Sequence, residues 1–182
     1  GSITANGGDA SDGSSAGGGG GRISVVLTAS DSVSGITMQA YGGDGGKNEG
    51  AAGTIYRQGS GTGIGSRGIL LDNDGLVTDM GEITQLPPAQ TPADPDDLID
   101  AVLIATNGTA LGLTTNVWIG NILVYSNASL TLGSYTMYVY AVEHNLEDLG
   151  DGEVGSTNHV DHYNQIIWLG PRIQSGMLLL FK

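Results

Sequence analysis

Asn107-Gly-Thr-Ala-Leu111-Gly-Leu113 is answered further along the chain by Asn127-Ala-Ser-Leu130-Thr-Leu132, and an alternating apolar segment follows each. Val117, Ile119 and Ile122 mark the first segment; Met137, Val139 and Val142 mark the second. The offset is 20 from Asn107 to Asn127 and from Val117 to Met137, and 19 from Leu111 to Leu130. Strands this short, alternating with period two, bury one face and have nothing of their own to bury it against. Stacked at roughly 4.8 Å per pass, each strand pairs with its equivalents above and below, and the inward residues form apolar columns. The interval therefore predicts one coil of a β-solenoid repeated. Asn107 and Asn127 then share a corner, where side-chain amides join successive coils as a ladder.

Composition agrees with that reading. Of 182 residues 32 are glycine and only 5% are aromatic, which supplies an ordinary globular core poorly. Glycine and β-branched residues also disfavour long helices. Six Lys and Arg against 19 Asp and Glu give a net charge of -13. Nucleic acids and anionic membranes are poor partners for such a surface, since counterion release needs a basic face. Divalent cations and extracellular water suit it. There is no cysteine, so no disulfide framework is proposed. No stretch approaches the roughly 20 apolar residues of a membrane-spanning helix. Position 1 falls inside a repeat-like phrase, which reads as a mature or excised piece.

Residues 1–60 carry a looser repeat. Ile3-Thr-Ala5-Asn-Gly7-Gly8-Asp9 returns as Met38-Gln-Ala40-Tyr-Gly42-Gly43-Asp44, at an offset of 35, and Gly21-Arg22-Ile23 returns as Gly53-Thr54-Ile55, at an offset of 32. Ile23, Val25, Leu27, Ile36, Met38 and Ala40 are expected to point inward. The run Gly17 to Gly21 fits either an extended glycine segment packed on the wall or a surface loop. These phrases resemble the glycine-rich repeats of large bacterial secreted and surface proteins of the autotransporter-passenger kind. The resemblance implies a right-handed parallel β-helix and carries no catalytic residues with it.

Further along, Arg67-Gly-Ile69-Leu-Leu71-Asp72 reads as a strand before an Asn-Asp74-Gly75 turn, and residues 77–86 as another strand pair. Pro87, Pro88, Pro92 and Pro95 cannot join a ladder. The expected organisation is a Gly-rich segment over 1–86, a Pro-rich connector over 87–97 and a second segment over 98–182, continuous with the first. An acidic loop at 143–164 interrupts the second segment. At ~20 residues per coil the chain would hold about eight or nine coils.

Candidate sites are sparse. Asp72 and Asp74 open a pattern that resembles a calcium loop, although its twelfth position is Ile83 rather than Glu. Asp148, Asp151 and Glu153 form a second acidic cluster. His159, Asp161 and His162, near His144, have the side chains that zinc-like ions prefer. Turn aspartates commonly serve local hydrogen bonding instead. Calcium is the cofactor this pattern leaves open. Trp118 and Tyr138 share the 20-residue offset and face outward with Tyr140 beside them. That strip could hold sugar rings or another protein, or could be a cross-strand pair that stabilises the sheet. Asn107-Gly-Thr109 and Asn127-Ala-Ser129 match the glycosylation sequon and are read as structural.

The function expected from these residues is that of a non-enzymatic extracellular structural subunit. Open ends of a solenoid invite head-to-tail association, with Met177, Leu178, Leu179, Leu180 and Phe181 as an apolar strand for a neighbouring copy. A carbohydrate-binding or adhesive module is the alternative, with polysaccharide as partner. A fragment of a polysaccharide-active enzyme comes third, because the repeats lack clustered carboxylates.

Overall fold

The computed structural model describes residues 1–27, 35–59, 67–78, 83–86, 101–125, 127–141, 160–161 and 163–170. Among them the chain is all-β, with one 3-10 turn at Tyr163–Gln165 and no helix long and apolar enough to cross a membrane.

The duplicated stretch pairs with itself in parallel, in the register its spacing predicts. Strands β7 (Ala101–Thr106), β8 (Ala110–Gly112) and β9 (Val117–Ile119) make one pass of the chain, and β10 (Asn121–Val124), β11 (Ser129–Thr131) and β12 (Met137–Val139) make the next. Each strand pairs in parallel with its successor, Leu103 with Ile122, Leu111 with Leu130 and Val117 with Met137. β13 (Val160–Asp161) and β14 (Ile166–Trp168) extend two of the three sheets by a further pass. The expected loop over 143–164 thus includes a paired strand. On the other side β5 (Arg67–Asp72) and β6 (Thr84–Gln85) pair in parallel with β7 and β8. Alternation does the rest: Leu103, Leu111, Ile119, Ile122, Leu130, Met137 and Val139 are all fully buried. Val77 is 68% exposed, and among the described residues of 77–86 the strand is β6.

The N-terminal part is built from β1 (Ser2–Thr4), β2 (Arg22–Val26), β3 (Thr37–Gln39) and β4 (Thr54–Gln58). β1 pairs in parallel with β3, Ile3 opposite Met38, and β2 with β4, Ile23 opposite Ile55. Both offsets read from the sequence are therefore hydrogen-bond registers. These passes consume 32 to 35 residues each rather than 20. The described residues make six passes in all. Ile36, expected inward, stands 38% exposed ahead of β3, and Leu27 is half-buried.

One pairing breaks the parallel rule. β4 and β5 are antiparallel neighbours in a five-stranded sheet ordered β10-β7-β5-β4-β2. Ile55 lies opposite Leu70 and Tyr56 opposite Ile69, and opposed residues of a pair share a face. Ile55 and Leu70 pack with Ile23, Met38 and Ala40, whereas Ile69 and Tyr56 pack with Leu71, Leu103 and the rest of the larger core. The two cores thus lie on opposite faces of a shared sheet. Strand direction and the face that carries the core reverse together at this junction.

The glycine tract is packed, not a free loop. The Gly18 amide donates to the Gly8 carbonyl at 2.9 Å, Gly43 to Gly18 at 2.8 Å and Gly50 to Gly43 at 2.9 Å. Four segments are thereby joined through backbone alone. None of these glycines has a positive φ, so at Gly43 and Gly50 space rather than backbone conformation requires glycine. A Cβ on Gly43 would collide with the Gly8 carbonyl, and one on Gly50 with the Gly18 carbonyl. Asn73, fully buried just after β5, pins this bundle to the rest. Its Oδ1 accepts from the Gly42 amide at 2.8 Å, and its Nδ2 donates to the carbonyls of Gly50 at 3.1 Å and Leu76 at 2.8 Å.

Gly43→Ala should therefore destabilise the N-terminal passes by about 1–3 kcal/mol through overpacking. Gly8→Ala, whose Cβ meets nothing within 4 Å, should be neutral or slightly stabilising. Urea unfolding of both variants checks this, and equal effects would remove the packing argument. Asn73→Ala strands an amide and a carbonyl in the interior and should cost roughly 3 kcal/mol in the same assay, with amide exchange at Gly42 accelerated.

Candidate functional surface

The three-stranded sheet β14-β12-β9 carries the outward aromatic strip. Trp118 and Tyr138 are directly paired in register, and Ile167 follows Tyr138 on the next strand. The two rings lie 4.8 Å apart between centroids with planes 10° from parallel. Such a stack contributes about 0.5–1.5 kcal/mol beyond the area it covers. Tyr140 continues the ladder, donating its amide to Ile119 at 2.9 Å, and Leu169 donates to Val139 at 2.8 Å. Tyr138 and Tyr140 are half-buried, whereas Ile167 and Leu169 are 41% and 46% exposed. Each stacked ring spends one face on the other.

The corner residues of the duplicated motif form a ladder. The Asn107 amide donates to Asn127 Oδ1 at 2.9 Å, and Asn107 Nδ2 donates to an oxygen of Asp72 at 3.1 Å. Backbone bonds run alongside, from Gly75 to the Asn107 carbonyl and from Gly108 to that of Asn127. Asn107, at φ 50°, and Asp74, at φ 54°, both take the left-handed turn conformation that Asn and Asp tolerate. The same Asp72 oxygen accepts from the Asp74 amide at 2.9 Å. What reads in sequence as the opening of a calcium loop is, in the fold, a corner of this ladder. Thr109 of the first sequon is buried, its hydroxyl donating to the Thr106 carbonyl at 2.7 Å.

Among the described residues no three His, Asp, Glu or Cys side chains come together as a metal would require. Asp148, Asp151, Glu153, His159 and His162 lie outside the described residues, as do Met177 to Phe181, and Asp161 is placed only as backbone in β13. On the exposed turn at Asp12, the hydroxyl of Ser15 and the amide and hydroxyl of Ser14 hold the carboxyl below its ordinary value. A shallow cavity of about 250 Å³ lies between Gly20, Ala52 and Gly53 on one side and Thr84 and Gln85 on the other, with Arg22 at its wall. The Thr84 hydroxyl donates to the Ala52 carbonyl beside it. The sequence signals for Asn73 and for the glycine bundle were present as a turn Asn and a repeated Gly-Gly, but neither shows which distant backbone it meets.

No family model, curated protein or solved structure matches the chain.

Asn107→Asp sets a second carboxylate beside Asp72. The pair repels once both are ionised, so one carboxyl is held protonated above its ordinary value of about 3.9. A raised folded value gives stability that is present at low pH and lost as pH rises through it. The variant should thus be weaker than the parent by about 1 kcal/mol more at pH 7 than at pH 4. A deficit independent of pH would show that the two side chains do not meet.

Proposed function

We propose that the chain is a stretch of right-handed parallel β-solenoid serving as a rigid, non-enzymatic extracellular structural element that self-associates end to end. The observation that carries the reading is the in-register return of β7, β8 and β9 as β10, β11 and β12 at offsets of 19 and 20. Parallel crossovers of this kind are right-handed in about 98% of cases, which supports the handedness. Polar side chains at the corners are used to join one pass to the next, as at Asp72, Asn107 and Asn127. A formal charge of -13 suits a surface facing extracellular water and keeps the flanks of such particles apart. Contact is then favoured at the ends, where strand edges are open, over the charged sides.

Negative-stain electron microscopy over a range of concentrations tests this. Stiff particles joined at their ends, more of them as concentration rises, are the expected result. Single particles at the highest concentration would overturn self-association, and flexible or globular outlines would overturn the structural reading itself.

A further inference from the structure

β2 is the outer strand of the five-stranded sheet, and among the described residues nothing pairs with its far edge. Among the described residues the core is also uncovered at this end. Ile3, on the outermost pass, is 40% exposed, whereas its register partner Met38 on the next pass is 6% exposed. Val26, at the end of β2, is 53% exposed. An edge with these properties is what soluble proteins usually guard with lysine, proline or a bulge. Arg22-Ile-Ser-Val-Val26 carries a single charge, at Arg22, and no proline or bulge.

The backbone parity of β2 fixes what fits there. The Thr54 amide donates to the Gly21 carbonyl and the Leu27 amide to the Gln58 carbonyl, so the odd-numbered residues face β4. In a parallel strand alternate residues direct both polar groups to the same side. Arg22, Ser24 and Val26 therefore present N–H and C=O to the open edge, and they are symmetric about Ser24. We propose that this edge takes the β2 of a second copy of the chain, antiparallel, about a two-fold axis at Ser24. Ser24 then pairs with its own equivalent and Arg22 with Val26 of the second copy, each pair exchanging two hydrogen bonds. No like charges oppose each other in this register. Ile23 meets Val25 across the axis on the inward face, continuing the smaller core of each copy into the other. The contact is isologous and closed, so the two molecules meet head to head at this end.

This contact rests on the reading of the chain as an end-associating stack, and it names one of the ends. Because the protein has no cysteine, Ser24→Cys introduces a single thiol. A hydrogen-bonded antiparallel pair holds its Cα atoms about 5.5 Å apart, within the roughly 4.4 to 6.8 Å of a disulfide. Mild oxidation of Ser24→Cys should give a covalent dimer, whereas Ser14→Cys, equally exposed but remote from the edge, should not. Ser24→Pro removes an edge-facing amide and leaves the bonds to β4 intact. It should retain the parent's circular dichroism and sediment as monomer where the parent sediments as dimer. Parent association that persists unchanged in Ser24→Pro, or cross-linking equal at positions 14 and 24, would overturn this contact and leave end association standing. A parent that stays monomeric would overturn both.

Discussion

The antiparallel pairing of β4 with β5 determines where everything else lies. A sheet has two faces, and period-two alternation assigns each residue to one of them. Turning the chain back at this point sends Ile55 and Leu70 to one face and Tyr56 and Ile69 to the other. The Gly-rich passes then collect their apolar residues on the first face and the later passes on the second. The two halves share the five-stranded sheet, and each adds sheets of its own.

The halves solve the same stacking problem with different materials. In the later passes Leu, Ile, Val and Met fill the interior, and corner amides keep the passes aligned. In the earlier ones much of the contact is backbone against backbone, close enough that a single Cβ at Gly43 or Gly50 does not fit. Asn73 bridges the two solutions by answering three backbone groups that lie in both. A buried amide with all its partners supplied is stabilising; with one missing it is among the more expensive defects a fold can carry.

Much of this was legible in the residues. The offsets linking Val117 to Met137, Leu111 to Leu130, Ile3 to Met38 and Gly21 to Gly53 are all registers of the fold, because stacking converts sequence spacing directly into hydrogen-bond partnership. The Asn107–Asn127 ladder was legible for the same reason. The reversal at β4 and β5 was not, since a hairpin between two apolar strands has the same local pattern as a parallel return. That the early passes are 32 to 35 residues long rather than 20 leaves no mark on alternation, because glycine segments carry none. Asp72 and Asp74 suggested an ion from spacing alone; that Asp72 also accepts from Asn107 is visible only in the fold. The outward placement of Trp118 and Tyr138 followed from alternation, while the face-to-face stacking of their rings needed coordinates.

A region held by amide and carbonyl contacts, with few apolar side chains to hydrate when it opens, has an unusual thermal character. The heat capacity of unfolding grows with the apolar surface exposed and is reduced by exposed peptide groups. The glycine-joined passes should therefore have a shallow free-energy curve, losing little stability on cooling, while the Leu- and Ile-filled passes follow the steeper dome of an ordinary core. Along one short chain the response to temperature is graded from end to end, set by whether Cβ atoms are present.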